Sequence, residues 1–401
     1  IKGSNASDNL ELQTNATTRL KLDTNSRISL SNNDSSNTGN TIFGKSAWNN
    51  SSNNASDYNT IFGEGVMGTG AVAGATHNTA VGYSALAAIL TGDGNVAIGA
   101  NAMDDTDGHA NTGASENNVF VGFHSGGGTW VNNKTDNAIG IGAYALYGAL
   151  DNVDGTVAIG GNALTALTTG VRNTAVGYEA GGLTTTGADN TYIGYQAGDD
   201  TRDDSKQNTV LGSLAFAGVH TTADADDCVA VGYSALGGIL QHADVAGTVA
   251  IGSSALMALT SGAGNVAIGY QALDAEDDGD FNTAVGYQAL TAQTGTTGEV
   301  GNTAIGHKAG FSITDATYNT IVGDRALYTD DQSDGTTVVG AYALYNQNGG
   351  TGSSGNTAMG LNAGHYNVTG TNNTYIGFNS GLGASGQSNS DNTAVGMGAL
   401  L

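Results

Sequence analysis

Apolar and polar positions alternate along this chain in short bursts that return at a nearly fixed interval. One burst reads Asn78-Thr79-Ala80-Val81-Gly82-Tyr83-Ser84-Ala85-Leu86, and it returns from Asn173 to Gly181 and again from Asn282 to Leu290. Aligned on its glycine, the phrase occurs 20 times, at Gly44, Gly63, Gly82, Gly99, Gly122, Gly142, Gly160, Gly177, Gly194, Gly212, Gly232, Gly252, Gly269, Gly286, Gly306, Gly323, Gly340, Gly360, Gly377 and Gly396. The spacings run from 17 to 23 residues and 17 is the commonest. A period of this size signals stacked repeats rather than one globular core. The minimal unit is therefore 17 residues, and longer copies carry loop insertions.

Each column of the repeat predicts local structure. The residue before the glycine is Val, Ile, Leu, Phe or Met in every copy, and three before it stands Thr, Val or Ile. Strand side chains alternate with period two, so these positions share a face. That face is expected to point into the coil's own core. Two before the glycine is mostly Ala, with Phe120, Tyr192 and Tyr375 among the exceptions. This second face is apolar as well. A strand buried on both faces needs a second surface, and a partner chain is the expected source.

The glycines, among them Gly82, Gly99, Gly177, Gly194, Gly269, Gly286, Gly306 and Gly323, are expected to end each strand with a positive φ or a close backbone approach. Four residues before the glycine, Asn stands in 15 of 20 copies, including Asn78, Asn95, Asn173, Asn190, Asn282, Asn302 and Asn319. Stacked coils would align these amides into a ladder. Three after the glycine, Ala stands in 17 of 20 copies, which predicts close packing. The remainder is polar and reads as loop. The expected fold class is all-β: a parallel β-solenoid, or β-roll, of about 20 coils over residues 39–401. Stacking at strand spacing would make it roughly 90 Å long. Residues 1–38 lack the repeat and predict a short β-rich connector, with strands at Leu10-Glu11-Leu12, Leu20-Lys21-Leu22 and Ile28-Ser29-Leu30.

Composition agrees with this picture and narrows the function. The chain has 64 glycines and no proline. Proline has no N–H to give a ladder, and its absence excludes collagen. Apolar periodicity excludes a disordered chain. The net charge is −25, from 36 acids against 11 bases. Nucleic acid is therefore not an expected partner, and neither is an anionic membrane surface. No apolar run is long enough for a spanning helix, so membrane insertion is not expected. A chain that begins at Ile1 with no visible signal peptide is expected to be a fragment or a processed product. The single cysteine, Cys228, rules out an internal disulfide framework. It replaces a ladder Asn and is expected to be a buried, inert thiol.

Little in the sequence points to chemistry. Asp274-x-Glu276-x-Asp278-Gly279 echoes the start of a Ca²⁺ loop, but Val285 stands where the bidentate acid belongs. Ca²⁺ is thus a weak candidate. The main reading of the acidic loops is solvated surface that keeps the protein soluble. The histidines show no zinc spacing; His109 near Asp107 is the nearest approach to a constellation. No nucleophile–base arrangement is evident, so no enzyme activity and no cofactor are expected. The aromatics after the glycine, such as Tyr83, Tyr178, Tyr195, Tyr233, Tyr270 and Tyr287, are expected to cap the turn and pack between coils or chains. Glycan binding is the alternative. An ice-binding Thr ladder is set aside, because the Thr column shares the face expected to point inward.

The phrase Asn-Thr-Ala-Val/Ile-Gly-Tyr-x-Ala-Leu resembles the head repeats of YadA-like trimeric autotransporter adhesins, left-handed parallel β-rolls in which three chains share an axis. Their unit is shorter. The 17-residue unit looks more like bacteriophage tail-fibre proteins, as does the stretch Asp8-Asn9-Leu10-Glu11-Leu12-Gln13-Thr14-Asn15. The resemblance implies an extracellular homotrimer, part of a virion tail fibre, that attaches to a host cell-surface glycan or protein receptor. A bacterial cell-surface adhesin and a receptor-free structural filament are alternatives, and a polysaccharide-degrading tailspike is a further one. The self-cleaving chaperone domain of many such fibres and the membrane anchor of autotransporters are not found before Leu401. That is expected of a processed fibre and equally of a truncated one.

Overall fold

The structure, a computed structural model, describes residues 2–3, 10–14, 17–22, 28–30, 39–48, 56–68, 72, 74–106, 114–131, 133–199, 205–218, 225–238, 245–294, 298–386 and 388–401. Asp107, His109, residues 31–38 and residues 200–204 lie outside this set. The chain divides into two compact units, residues 1–173 and 174–401. Every regular element among the described residues is a β-strand, and no helix is long and apolar enough to cross a membrane. The fold is an all-β parallel β-solenoid.

The first unit opens with an antiparallel meander of four strands, Lys2–Gly3, Leu10–Thr14, Thr17–Leu22 and Ile28–Leu30. Seven three-residue coil strands follow, from Thr41–Phe43 to Val157–Ile159. The second unit holds thirteen, from Thr174–Val176 to Thr393–Val395. Coil strands within a unit pair in parallel and without slippage, so Thr283 lies against Thr303, Thr303 against Thr320 and Thr320 against Thr337. Each repeat column thus becomes a physical column. Two small parallel pairs form where loops also align, Gly279–Asp280 with Gly298–Glu299 and Ser333–Asp334 with Gly352–Ser353.

The backbone bonds of a coil point alternately to its two neighbours. Thr283 N–H donates to the Asn302 carbonyl at 2.8 Å in one direction, and Gly286 N–H donates to the Ile268 carbonyl at 2.7 Å in the other. The pattern continues through the turn, where Gln288 N–H reaches the Tyr270 carbonyl and Leu290 N–H reaches the Ala309 carbonyl. The turn needs left-handed residues at fixed places. Phe281, Gln288 and Leu290 have φ of 61°, 53° and 49°, and the equivalent residues of other coils match them. Such conformations cost roughly 1–2 kcal/mol each for ordinary residues. The inter-coil hydrogen bonds offset that cost.

One expectation is reversed. The middle residue of each strand, not its flanks, enters the coil interior: Ala284, Ala304, Ile321 and Val338 are fully buried. The Thr/Val column and the Val/Ile column flanking it are half-buried to exposed. The coil's opposite wall contributes Ala289 and Leu290, both fully buried, and the equivalent Ala326 and Leu327 or Ala343 and Leu344 pack across from Ile321 and Val338. Where the middle residue is aromatic, the opposite wall drops to glycine. A Cβ on Gly126 would meet the Phe120 ring at 2.6 Å, and one on Gly198 would meet the Tyr192 ring at 2.3 Å. Gly381 stands in the same relation to Tyr375. The Thr column therefore faces outward, not into the coil's core as its pattern predicts.

Candidate functional site

Two ladders run through the coils. The first is the glycine column. Gly82, Gly99, Gly177, Gly194, Gly269, Gly286, Gly306 and Gly323 all have φ between +139° and +147°. A Cβ on Gly286 would lie 2.3 Å from the Gly306 carbonyl oxygen, and one on Gly269 would lie 2.3 Å from that of Gly286. The column marks a close approach of successive backbones.

The second ladder is the asparagine column: Asn78, Asn95, Asn173, Asn190, Asn282, Asn302 and Asn319 are each no more than 1% exposed. Its amides join side chain to backbone. Asn78 Oδ1 accepts the Asn95 N–H at 2.8 Å, while Asn95 Nδ2 donates to the Ser115 carbonyl. Asn190 Nδ2 donates to the Ser205 carbonyl and its Oδ1 accepts the Asn208 N–H. Asn173 N–H meets Thr156 Oγ1 at 3.4 Å, where threonine interrupts the column. Asn302 makes four such bonds. Its N–H donates to Asn282 Oδ1, its Nδ2 donates to Gln293 Oε1 and to the Ala316 carbonyl, and its Oδ1 accepts the Asn319 N–H. Truncating it would leave several buried groups without partners. Asn302→Ala is expected to destabilise the second unit by about 2 kcal/mol, read as a lower urea midpoint with an unchanged slope.

A third ladder escaped the sequence argument. Six residues before the glycine, an aspartate often reaches to the preceding coil and accepts the N–H at the same position there. Asp93 takes Thr76 N–H at 2.7 Å, Asp136 takes Glu116 N–H at 2.9 Å and Asp154 takes Asp136 N–H at 2.7 Å. Asp226, Asp280 and Asp334 do the same for Lys206, Ala263 and Thr317. These loop acids are tied into the stack as well as exposed to solvent. Their fixed offset from the glycine was the signal that could have found them.

The residues considered for Ca²⁺ separate. Glu276, Asp277 and Asp278 bring one carboxylate oxygen each within 4.8 Å of one another, and Asp274 is not in the group. Glu276 is fully buried and turned inward. Its Oε1 accepts the Gly279 N–H at 2.7 Å and its Oε2 accepts from Gln293 at 2.7 Å, so both oxygens cap neighbouring groups. Burial pushes its carboxyl above the ordinary range, and burial does the same at Asp274, which accepts from Gln271. Cys228 is buried, with its N–H on Asn208 Oδ1 and its thiol pushed up to about 11 by burial.

The outward strand face is the principal surface feature. In the second unit, Ile193, Leu211, Ile268, Ile305 and Met359 stand one before their glycines and are 37–46% exposed. Beside them stand Tyr195, Tyr233, Tyr270, Tyr287 and Phe378, one after, which are 45–56% exposed. Neighbouring tyrosines stack, Tyr270 on Tyr287 at 5.1 Å and Tyr178 on Tyr195 at 5.9 Å. In the first unit Phe43 and Phe62 stack at 5.1 Å on the same face. The result is a continuous apolar stripe in each unit, flanked by polar loops. Patches of this kind on a soluble protein mark interaction surfaces. Comparison of the chain with known family models, with curated proteins and with solved structures finds no match.

Proposed function

We propose that this chain forms a segment of an extracellular structural and adhesive fibre of the bacteriophage tail-fibre kind, assembled as a homotrimer that attaches to a glycan or protein on a host cell surface. The observation that carries the reading is the outward apolar face, with Ile268, Ile305 and their equivalents half-exposed in a single chain. Three copies related by a rotation axis along the stack would cover that face. Closed symmetry also prevents open-ended lateral growth. The coil ladders supply stiffness, and the acidic loops keep assembled fibres apart. Three identical chains would present three copies of any receptor-binding loop, which raises avidity without new contacts.

Sedimentation equilibrium tests the assembly. A mass near three times 39.9 kDa is expected. The double variant Ile268→Lys and Ile305→Lys is expected to sediment as a single chain, because two rings of buried like charge would oppose association. A wild-type mass of one chain overturns the proposal. Binding of the labelled trimer to whole host cells tests adhesion, and a trimer that binds none would leave only a structural filament.

A further inference from the structure

In many described coils the seventh residue after the glycine points into the coil, and in four of them it is a large apolar residue: Ile89, Leu167, Leu259 and Ile313 are all buried there. Five coils of the second unit place a carboxylate or amide at this position instead. They are Glu276, Gln293, Asp330, Gln347 and Asn367, none more than 5% exposed.

The two acid–amide pairs are equivalent in position yet differ in contact. Gln293 Nε2 donates directly to Glu276 Oε2 at 2.7 Å. Asp330 is one methylene shorter. Its Oδ1 accepts the Ser333 N–H at 3.3 Å, while its Oδ2 is buried without a protein partner. Gln347 Nε2, from the next coil, is buried without one as well. Its Oε1 accepts from Asn356 at 3.1 Å and Asn367 at 2.8 Å, which fixes the amide with its N–H₂ on the other side. The Ser333 hydroxyl lies close enough to the Asp330 carboxylate to favour its charged form, although no hydrogen bond of good geometry joins the two. A Cβ on Gly349 would lie 2.8 Å from Ser333 Oγ and 3.0 Å from Gln347 Nε2, so these two atoms border one spot. Asn367 Oδ1, next in the column, also has no protein partner, and Asn367 lines a half-open cavity of about 20 Å³ with Tyr366 and Tyr375. One water needs about 10–15 Å³.

We propose that the second unit holds an internal solvent site: a water molecule bound between Asp330 Oδ2, Ser333 Oγ and Gln347 Nε2, continued by a second water in the cavity at Asn367. Buried polar groups are paired as a rule, and one water would pair three here. It accepts from Gln347 Nε2, donates to Asp330 Oδ2 and shares a hydrogen bond with Ser333 Oγ. A cation fits less well. The Gln347 amide presents a donor to the spot, and Ca²⁺ takes six to eight oxygens. The shorter acid opens the space that Glu276 closes for itself.

A high-resolution crystal structure of the full chain is the test. Density is expected about 2.7–3.1 Å from all three atoms. A dry gap, a direct Asp330–Gln347 bond, or an ion at about 2.4 Å overturns the proposal. Asp330→Glu restores the missing methylene and is expected to expel the water and bond Gln347 directly. Retention of the same density in that variant overturns the account. Calcium is expected to leave melting of the wild type and of Asp330→Asn equally affected. A calcium-dependent rise that Asp330→Asn abolishes makes the site a cation site instead.

Discussion

Gly286→Val is expected to disrupt the second unit more than any other single change considered, at a cost of about 4 kcal/mol or more. Two effects act together at this residue. Its φ of +144° lies where side chains are strained, and a Cβ would sit 2.3 Å from the Gly306 carbonyl oxygen. That oxygen belongs to backbone and cannot swing aside. Separating the two coils would stretch the neighbouring strand bonds, including Thr283 N–H to Asn302, which is 2.8 Å long. In a stack where each repeat touches only its neighbours, one failed interface divides the array. The contrast is Gly247→Ala. Gly247 has φ of +69°, but a Cβ there meets nothing within 4 Å. It incurs the backbone strain alone, about 1 kcal/mol. Urea unfolding followed by β-sheet circular dichroism would show both. Equal midpoints for the two variants would mean that close approach is not what the glycine column serves.

The sequence showed the repeat because its columns are single-residue choices. Gly286 and Asn282 recur at fixed offsets, and parallel stacking turns an offset into a column. It was silent on which strand face is inside. Period-two alternation shows that Thr283 and Val285 share a face, not where that face points. Bulk suggested the core, yet Ala284 is buried and Val285 faces outward. The clue was a pairing: each aromatic at the middle of a strand, Phe120, Tyr192 or Tyr375, is followed six residues later by glycine at 126, 198 or 381. Two positions that trade volume must share a cavity. The left-handed corners were less legible, since Leu290, Arg325 and Tyr342 occupy them. Propensity favours none of these residues there; only the inter-coil hydrogen bonds hold them.

The inward acids have a consequence that pH should expose. Burial is the leading influence on Asp330, whose carboxyl is pushed up to about 6 from 3.8; Ser333 and the Gln332 N–H oppose the rise, and the charge of Asp331 adds to it. The inward residues of the adjoining coils, Ile313 and Gln347, are neutral. A carboxyl with a raised folded value binds its proton more tightly in the native chain than in the unfolded one. Its contribution to stability is therefore complete below about pH 4 and is lost as the pH rises through about 6. The shift corresponds to about 3 kcal/mol. Glu276, Asp274 and Asp278 are shifted the same way by burial, so the whole unit should weaken over this range. Asp330→Asn isolates the one group, because asparagine has the same shape and no proton to lose. The variant is expected to match the wild type near pH 3.5 and to exceed it by about 3 kcal/mol at pH 7.5. Urea midpoints at the two pH values give the comparison. A variant weaker than the wild type at pH 7.5 would mean that the ionised carboxylate is fully compensated where it lies. Neutral water alone would not do that, and a bound cation would.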